Sequence, residues 1–154
     1  MKIYLVQHGE AEASEVDPER PLTEQGRSDV QRIASLLERT GIKAERMIHS
    51  GKLRARQTAE ILAAAVAPGS ALETSDQIKP NDDPAAFDLP KKPGDRDAMV
   101  VGHLPFMARL VAHLVAGSDA AELVAYRPGS VVCLENIDNT RWQINWMIRP
   151  ELIA

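Results

Sequence analysis

The 154-residue sequence holds one cysteine, Cys133. A single thiol closes no internal disulfide, which suits a reducing cytoplasm. Its place in the apolar run Ser130-Val131-Val132-Cys133-Leu134 predicts a buried structural thiol, not a nucleophile. Positive charge is also in short supply: the formal net charge is −4, which argues against a nucleic-acid binder held by a broad basic surface but leaves room for a local basic pocket. No apolar run approaches the length of a membrane span. Met1–Val6 is too short for the apolar region of a signal peptide, so a cytoplasmic protein is expected. There is no internal repeat and no low-complexity tract.

What remains is ordinary globular material. The chain is 44% hydrophobic and 26% charged, enough to bury a core without disulfides or metals. One domain over 1–154 is expected, as a monomer.

Residues 2–7 are rich in β-formers and end at His8-Gly9, the pattern of a buried strand running into a tight loop. Residues 10–22, with Pro18 and Pro21, read as loop. Thr23 is placed to cap a helix over 24–40, with Val30, Ile33, Ala34 and Leu37 on one face and Gly41 as its stop. A short strand near 45–49 follows, and Ser50 is expected to open a helix over 52–66. Pro68, Pro80, Pro84, Pro90 and Pro93 break up residues 68–97, where only 71–75 has strand character. A loop of that length is either a lid or binding segment, or a plain surface excursion. Residues 98–102 form another buried strand, ending at His103, and Leu104-Pro105 begins a third helix. Residues 130–136 and 141–148 alternate as a hairpin, with Trp142, Ile144, Trp146 and Ile148 expected on one face as core. Strand–helix alternation with a final hairpin predicts an α/β domain whose sheet is mostly parallel but mixed.

Two histidines, His8 and His103, each end a strand beside a glycine. In open α/β sheets ligands bind beyond the carboxyl ends of the strands, so the pair is a candidate for one shared site, although either alone reads as a structural histidine. A third strand ends at His49-Ser50, and Ser50 with the free N–H groups of the next helix is suited to an anion. Arg54 and Arg56 lie two residues apart and point to nearly opposite faces of that helix, so only one can line the site.

Leu5-Val6-Gln7-His8-Gly9-Glu10-Ala11, Arg20-Pro21-Leu22-Thr23-Glu24-Gln25-Gly26, Ser50 through Ala59 and Gly102-His103-Leu104-Pro105 occur in that order. Together they resemble the histidine phosphatase (phosphoglycerate mutase-like) superfamily, and most of all its SixA-type phosphohistidine phosphatase branch. The resemblance implies a three-layer α/β/α sandwich. It implies that His8 is a transiently phosphorylated nucleophile, that Arg54 rather than Arg56 clamps the phosphoryl oxygens, and that His103 is the second histidine of the pocket. Arg20 is a weaker match for a further contact, and Gln7, Gly9 and Ser50 complete the expected phosphate-binding set. No metal and no cofactor is implied. The substrate implied is a phosphohistidine carrier protein.

Gln7 departs from the superfamily's usual arginine. It keeps N–H donors and loses a charge. A charge pair at ~4 Å is worth roughly 4 kcal/mol at an effective dielectric near 20, so the substitution bears directly on turnover. In the expected mechanism neutral His8 attacks phosphorus and a protonated His103 helps hold the transferred group. Glu10, Asp82 and Asp83 are the candidate proton donors, and none stands out; a labile P–N bond demands less of such an acid than an ester does. Two other readings stay open: hydrolysis of a small phosphomonoester, and a non-catalytic phosphoryl-binding module. A metal hydrolase built on His8, Glu10, Glu12 and His103 is disfavoured, because the motif lacks the helical i, i+4 histidine pair.

Overall fold

The structure is a computed structural model that describes residues 1–89, 96–138 and 141–154. Pro90 and Pro93 of the proline-broken stretch lie outside the described residues. The elements run β1 (Lys2–Gln7), α1 (Glu24–Arg39), β2 (Arg46–His49), α2 (Leu53–Val66), β3 (Leu72–Thr74), β4 (Ala98–Gly102), α3 (Phe106–Ala116), β5 (Val131–Ile137) and β6 (Arg141–Ile148). They build one sheet in the order β3-β2-β4-β1-β5-β6. The first four strands in that order pair in parallel, and β5 and β6 add antiparallel pairing at one side.

β1 and β4 are central, which explains their unbroken apolar runs: both faces of each must be covered. On one face, Val30, Ile33 and Leu37 of α1 and Ala59 and Leu62 of α2 pack on Tyr4, Val6, Met47, Met99 and Val101. On the other, Phe106, Met107 and Leu110 of α3 pack on Ile3, Leu5, Val100 and Val132. The result is the three-layer α/β/α sandwich. Thr23 caps α1 as its sequence position suggests, its side chain accepting from the Gly26 N–H at 2.9 Å.

Three expectations need correction. Lys52, not Ser50, occupies the N-cap of α2, with no side-chain cap bond; the Ser50 hydroxyl is engaged elsewhere. The hairpin stripe does not face one way. A bulge between Cys133 and Leu134 sets Leu134 opposite Ile144 and Cys133 opposite Trp146, leaving Asn145 as the extra residue. Trp142 therefore joins the α3-side core, whereas Trp146 and Ile148 pack on the α1/α2 side. Finally, the described part of 68–97 is not a plain surface excursion: Ile78, Phe87 and Leu89 are buried in the α3-side core.

Register sets up the site. Gln7 lies opposite Gly102, and His49 opposite Val101. The carboxyl ends of β1, β4 and β2 therefore finish side by side, and the loops leaving them carry His8, His103 and Ser50.

Candidate active site

His8 leaves β1 with its backbone tied on both sides. Its N–H donates to the Gly102 carbonyl at 3.0 Å, and its carbonyl accepts from the Gly129 N–H at 3.1 Å. Its Nδ1 lies 2.7 Å from the Gly9 carbonyl. A carbonyl only accepts, so Nδ1 carries the proton and Nε2 keeps its lone pair. Burial pushes the His8 pKa down to about 4, and the positive charges of Arg54 and Arg20 act the same way, against the bond to Gly9. His8 is therefore neutral at pH 7, the form that an attacking imidazole needs.

The glycine after it is set by packing. A Cβ on Gly9 would stand 2.8 Å from Val30 Cγ2, and one on Gly26 would stand 2.1 Å from the Glu10 carbonyl oxygen. The loop crosses the start of α1 at a distance that a side chain would prevent. Gly9, expected among the phosphate-binding groups, has both backbone groups engaged within the protein. Its N–H already donates to Thr58 Oγ1 at 3.0 Å, and its carbonyl holds His8.

Thr58 is the residue that sequence reasoning missed. It is fully buried. Its hydroxyl accepts from Gly9 and donates to the Arg54 carbonyl at 2.8 Å. One hydroxyl thus ties the loop carrying His8 to the first turn of α2, which carries Arg54. The available signal was its spacing, one helical turn after Arg54. Gln57 makes a similar link, accepting from the Leu22 N–H at 2.8 Å.

Arg54 and Arg56 divide as their spacing suggests. Arg56 is exposed and pairs with Glu60. Arg54 has a buried Nε with no partner. His103 is 2% exposed, its ring 5.1 Å from that of His8. Its Nε2 lies 2.5 Å from Ser50 Oγ, and its Nδ1 is buried without a partner. Burial, then His8, Arg54, Lys52 and Arg20, push its pKa down to about 3. Burial and the arginine and lysine charges hold His103 neutral, and an arriving phosphoryl dianion would favour the protonated form that the expected mechanism uses.

Gln7 is buried, and its Oε1 has no hydrogen-bond partner. An amide oxygen only accepts, so of the buried unpaired atoms here it is Arg54 Nε and His103 Nδ1 that suit a phosphoryl oxygen. Each costs roughly 1–3 kcal/mol if left unpaired, so the grouping fits a pocket meant for a polar ligand. Arg20 supplies charge from the side. Its backbone is left-handed at φ 49°, its Nε donates to the Glu12 carbonyl at 2.9 Å, and its charge acts on His8, Arg54 and His103 alike.

The three acids named from sequence are engaged locally. Glu10 accepts from the Thr23 hydroxyl at 3.1 Å, Asp82 from the Lys79 N–H at 2.8 Å, and Asp83 from the Ala85 N–H at 3.0 Å. A different acid, Glu19, lines the groove next to Arg54 and Ser50. His49 is buried, and its Nδ1 accepts from the Gly51 N–H at 3.0 Å, shaping the loop that presents Ser50. Among the described residues no group of three or more His, Cys, Asp or Glu is placed to hold a metal ion, and no helix is long and apolar enough to cross a membrane.

A strand-end histidine of fixed tautomer, an arginine with a buried Nε and a second, buried histidine thus meet at the carboxyl ends of parallel strands, an arrangement suited to a phosphoryl group. The family model of the histidine phosphatase superfamily (branch 1) matches residues 3–79, half of the chain. The chain belongs to that superfamily, and its class of activity is that of a phosphatase. Over its length it is 28% identical to phosphohistidine phosphatase SixA of Escherichia coli (strain K12), a match covering 97% of this chain and 94% of that protein. A solved structure of the protein histidine phosphatase SixA complexed with tungstate superposes with a TM-score of 0.85 at 24% identity, covering 99% of both chains. The alpha-ribazole phosphatase from Shigella flexneri shares the fold at TM-score 0.73 and 13% identity, covering 97% of both.

Proposed function

We propose that the protein removes the phosphoryl group from phosphohistidine on a partner protein, without a metal, through a covalent phospho-His8 intermediate. The observation that carries the reading is the bond from His8 Nδ1 to the Gly9 carbonyl, which leaves Nε2 as the free base. In the first step Nε2 of His8 attacks phosphorus, the bond from phosphorus to the substrate nitrogen breaks, and that nitrogen keeps the electron pair, the substrate imidazole leaving neutral because its other ring nitrogen already carries a proton. In the second, water attacks phosphorus, the bond to Nε2 breaks, and inorganic phosphate departs while Nε2 regains its lone pair. Arg54, Arg20, Gln7 and His103 bind the developing charge on the equatorial oxygens.

Gln7 bears on whether this works at all. The charge it lacks is offset by neighbours: Arg54, Arg20 and Lys52 all act on His103. That positive field draws in a phosphoryl group, and the lone pair left on Nε2 of His8 supports turnover over a purely binding role. The substrate assignment is supported by whole-chain likeness to a phosphohistidine phosphatase. It is also supported by the local engagement of Glu10, Asp82 and Asp83, since a P–N bond asks less of an acid than an ester. Hydrolysis of a small phosphomonoester is the second reading, favoured by the presence of Glu19 as an acid lining the groove.

The test is metal-free incubation with a histidine-phosphorylated carrier protein, a phosphoserine peptide and p-nitrophenyl phosphate in parallel. Loss of carrier phosphate that disappears in His8→Ala is the expected result. Turnover of p-nitrophenyl phosphate alone moves the assignment to a small ester, and turnover of nothing leaves a binding module.

A further inference from the structure

The phosphoryl pocket does not end at Arg54. Ser50 and Arg54 also line an open groove of about 480 Å³ whose other walls include Pro18, Glu19, Lys52 and Lys79. In a chain of net charge −4, the charged side chains lining this groove are three cations and one acid. Every ion pair recorded among the described residues is made by an arginine. Arg32, Arg46, Arg56, Arg96, Arg109 and Arg149 each pair with a carboxylate. Lys52 and Lys79 have no ion-pair partner among the described residues.

Both lysines are also held in place by their backbones. Lys52 is the N-cap residue of α2, and its charge is felt at His103. Lys79 follows fully buried Ile78, and its turn is closed twice: its N–H donates to Asp82 Oδ2 at 2.8 Å, and its carbonyl accepts from the Asp82 N–H at 3.0 Å. With their backbones fixed, these lysines lose less backbone freedom on binding than a lysine on a mobile loop.

We propose that Lys52 and Lys79 form a docking rim for carboxylates flanking the phosphorylated histidine of the protein substrate. The proposal rests on the phosphohistidine-protein reading and adds what that protein must carry: Asp or Glu beside its phosphohistidine. Charge complementarity outside the pocket selects the partner and speeds encounter, and the pocket does the chemistry. Glu19, the one acid in the lining, repels a carboxylate placed beside it and so narrows where an acidic flank can sit.

The experiment uses two synthetic phosphohistidine peptides of the same length, one flanked by glutamates and one by lysines, with p-nitrophenyl phosphate as a third substrate. The readout is the ratio of kcat/KM for the two peptides within one enzyme preparation, which a partly unfolded variant does not alter. The wild-type protein favours the acidic peptide by about fivefold or more at low salt, and the ratio falls toward one at high salt. Lys79→Glu lowers or inverts the ratio, and Lys79→Gln lies between. Equal hydrolysis of the two peptides by the wild type, or a ratio unchanged in Lys79→Glu, overturns the docking rim and leaves the phosphohistidine reading standing. Hydrolysis of p-nitrophenyl phosphate with neither peptide touched overturns the phosphohistidine reading, and the rim with it.

Discussion

The loop after β1 and the loop after β4 look alike in sequence, each a histidine beside a glycine at the end of a buried strand, yet they prepare their imidazoles differently. At the β1 end, Nδ1 of His8 is bound to a backbone carbonyl, so the tautomer is set by an acceptor that does not titrate. At the β4 end, Nε2 of His103 meets a serine hydroxyl, which can both donate and accept, and Nδ1 is left without a partner. The first arrangement suits a nucleophile that must always present the same lone pair. The second suits a group that changes its protonation as phosphoryl charge arrives and leaves. What separates the two is the chemistry of the bonding partner, not the placement of the ring.

That contrast can be broken most sharply by replacing each ring in turn. His8→Asn abolishes turnover of every substrate. His103→Asn lowers kcat about 10²- to 10³-fold and leaves a measurable rate, because the nucleophile and its clamp remain. Equal losses in the two variants would mean that the rings do not differ in role. Steady-state kinetics on the same phosphohistidine substrate decide this.

A smaller effect is expected at the hydroxyl that ties His8 to Arg54. Thr58→Val keeps the shape and removes both bonds, leaving the buried Gly9 N–H unpaired at a cost of about 1–3 kcal/mol in stability. The resulting misplacement of nucleophile and clamp lowers kcat roughly 10- to 100-fold. Thr58→Ser restores most of the rate, whereas a loss tied only to packing would not be rescued by the smaller hydroxyl side chain.

Acid should affect the two histidines by degrees. Both have native pKa values below the ordinary 6.5, at about 4 for His8 and about 3 for His103. Between those values and 6.5 the unfolded chain binds more protons than the folded one. Stability therefore falls as pH drops through 6.5, by at most about 1.4 kcal/mol per pH unit for each ring, and the loss is complete once pH is below the native values. Melting curves from pH 7 to 4 check the slope, which becomes shallower in His103→Asn. The acid limb of kcat/KM, which reports the free enzyme, lies near pH 4, not 6.5.

Much of this site was legible before any coordinates, because it is local. β1 and β4 are continuous apolar runs and end where the runs end. Thr23 caps α1 because its hydroxyl needs only the Gly26 N–H three residues on. Arg54 is separated from Arg56 by the geometry of one helix. The parts that were not legible depend on pairing distant in sequence. Ser50 meets His103 across 53 residues and Thr58 meets Gly9 across 49, and no spacing rule connects them. The hairpin misled for another reason: its alternation is real on both sides of Asn145, and the bulge exchanges the faces without leaving a mark in the pattern. Glu19 and Lys79 gained relevance only when the β1 and β2 ends and the turn after Ile78 were brought to one groove.

The most direct measurement is the position of phosphorus on the protein. Rapid mixing with a phosphohistidine carrier, an alkaline quench that preserves phosphohistidine, and peptide mapping with ³¹P NMR would place it. The account predicts a transient phosphoryl group on Nε2 of His8, absent from His8→Ala. Phosphorus on Nδ1 of His8, phosphorus on another residue, or turnover with no phosphoprotein formed would contradict it.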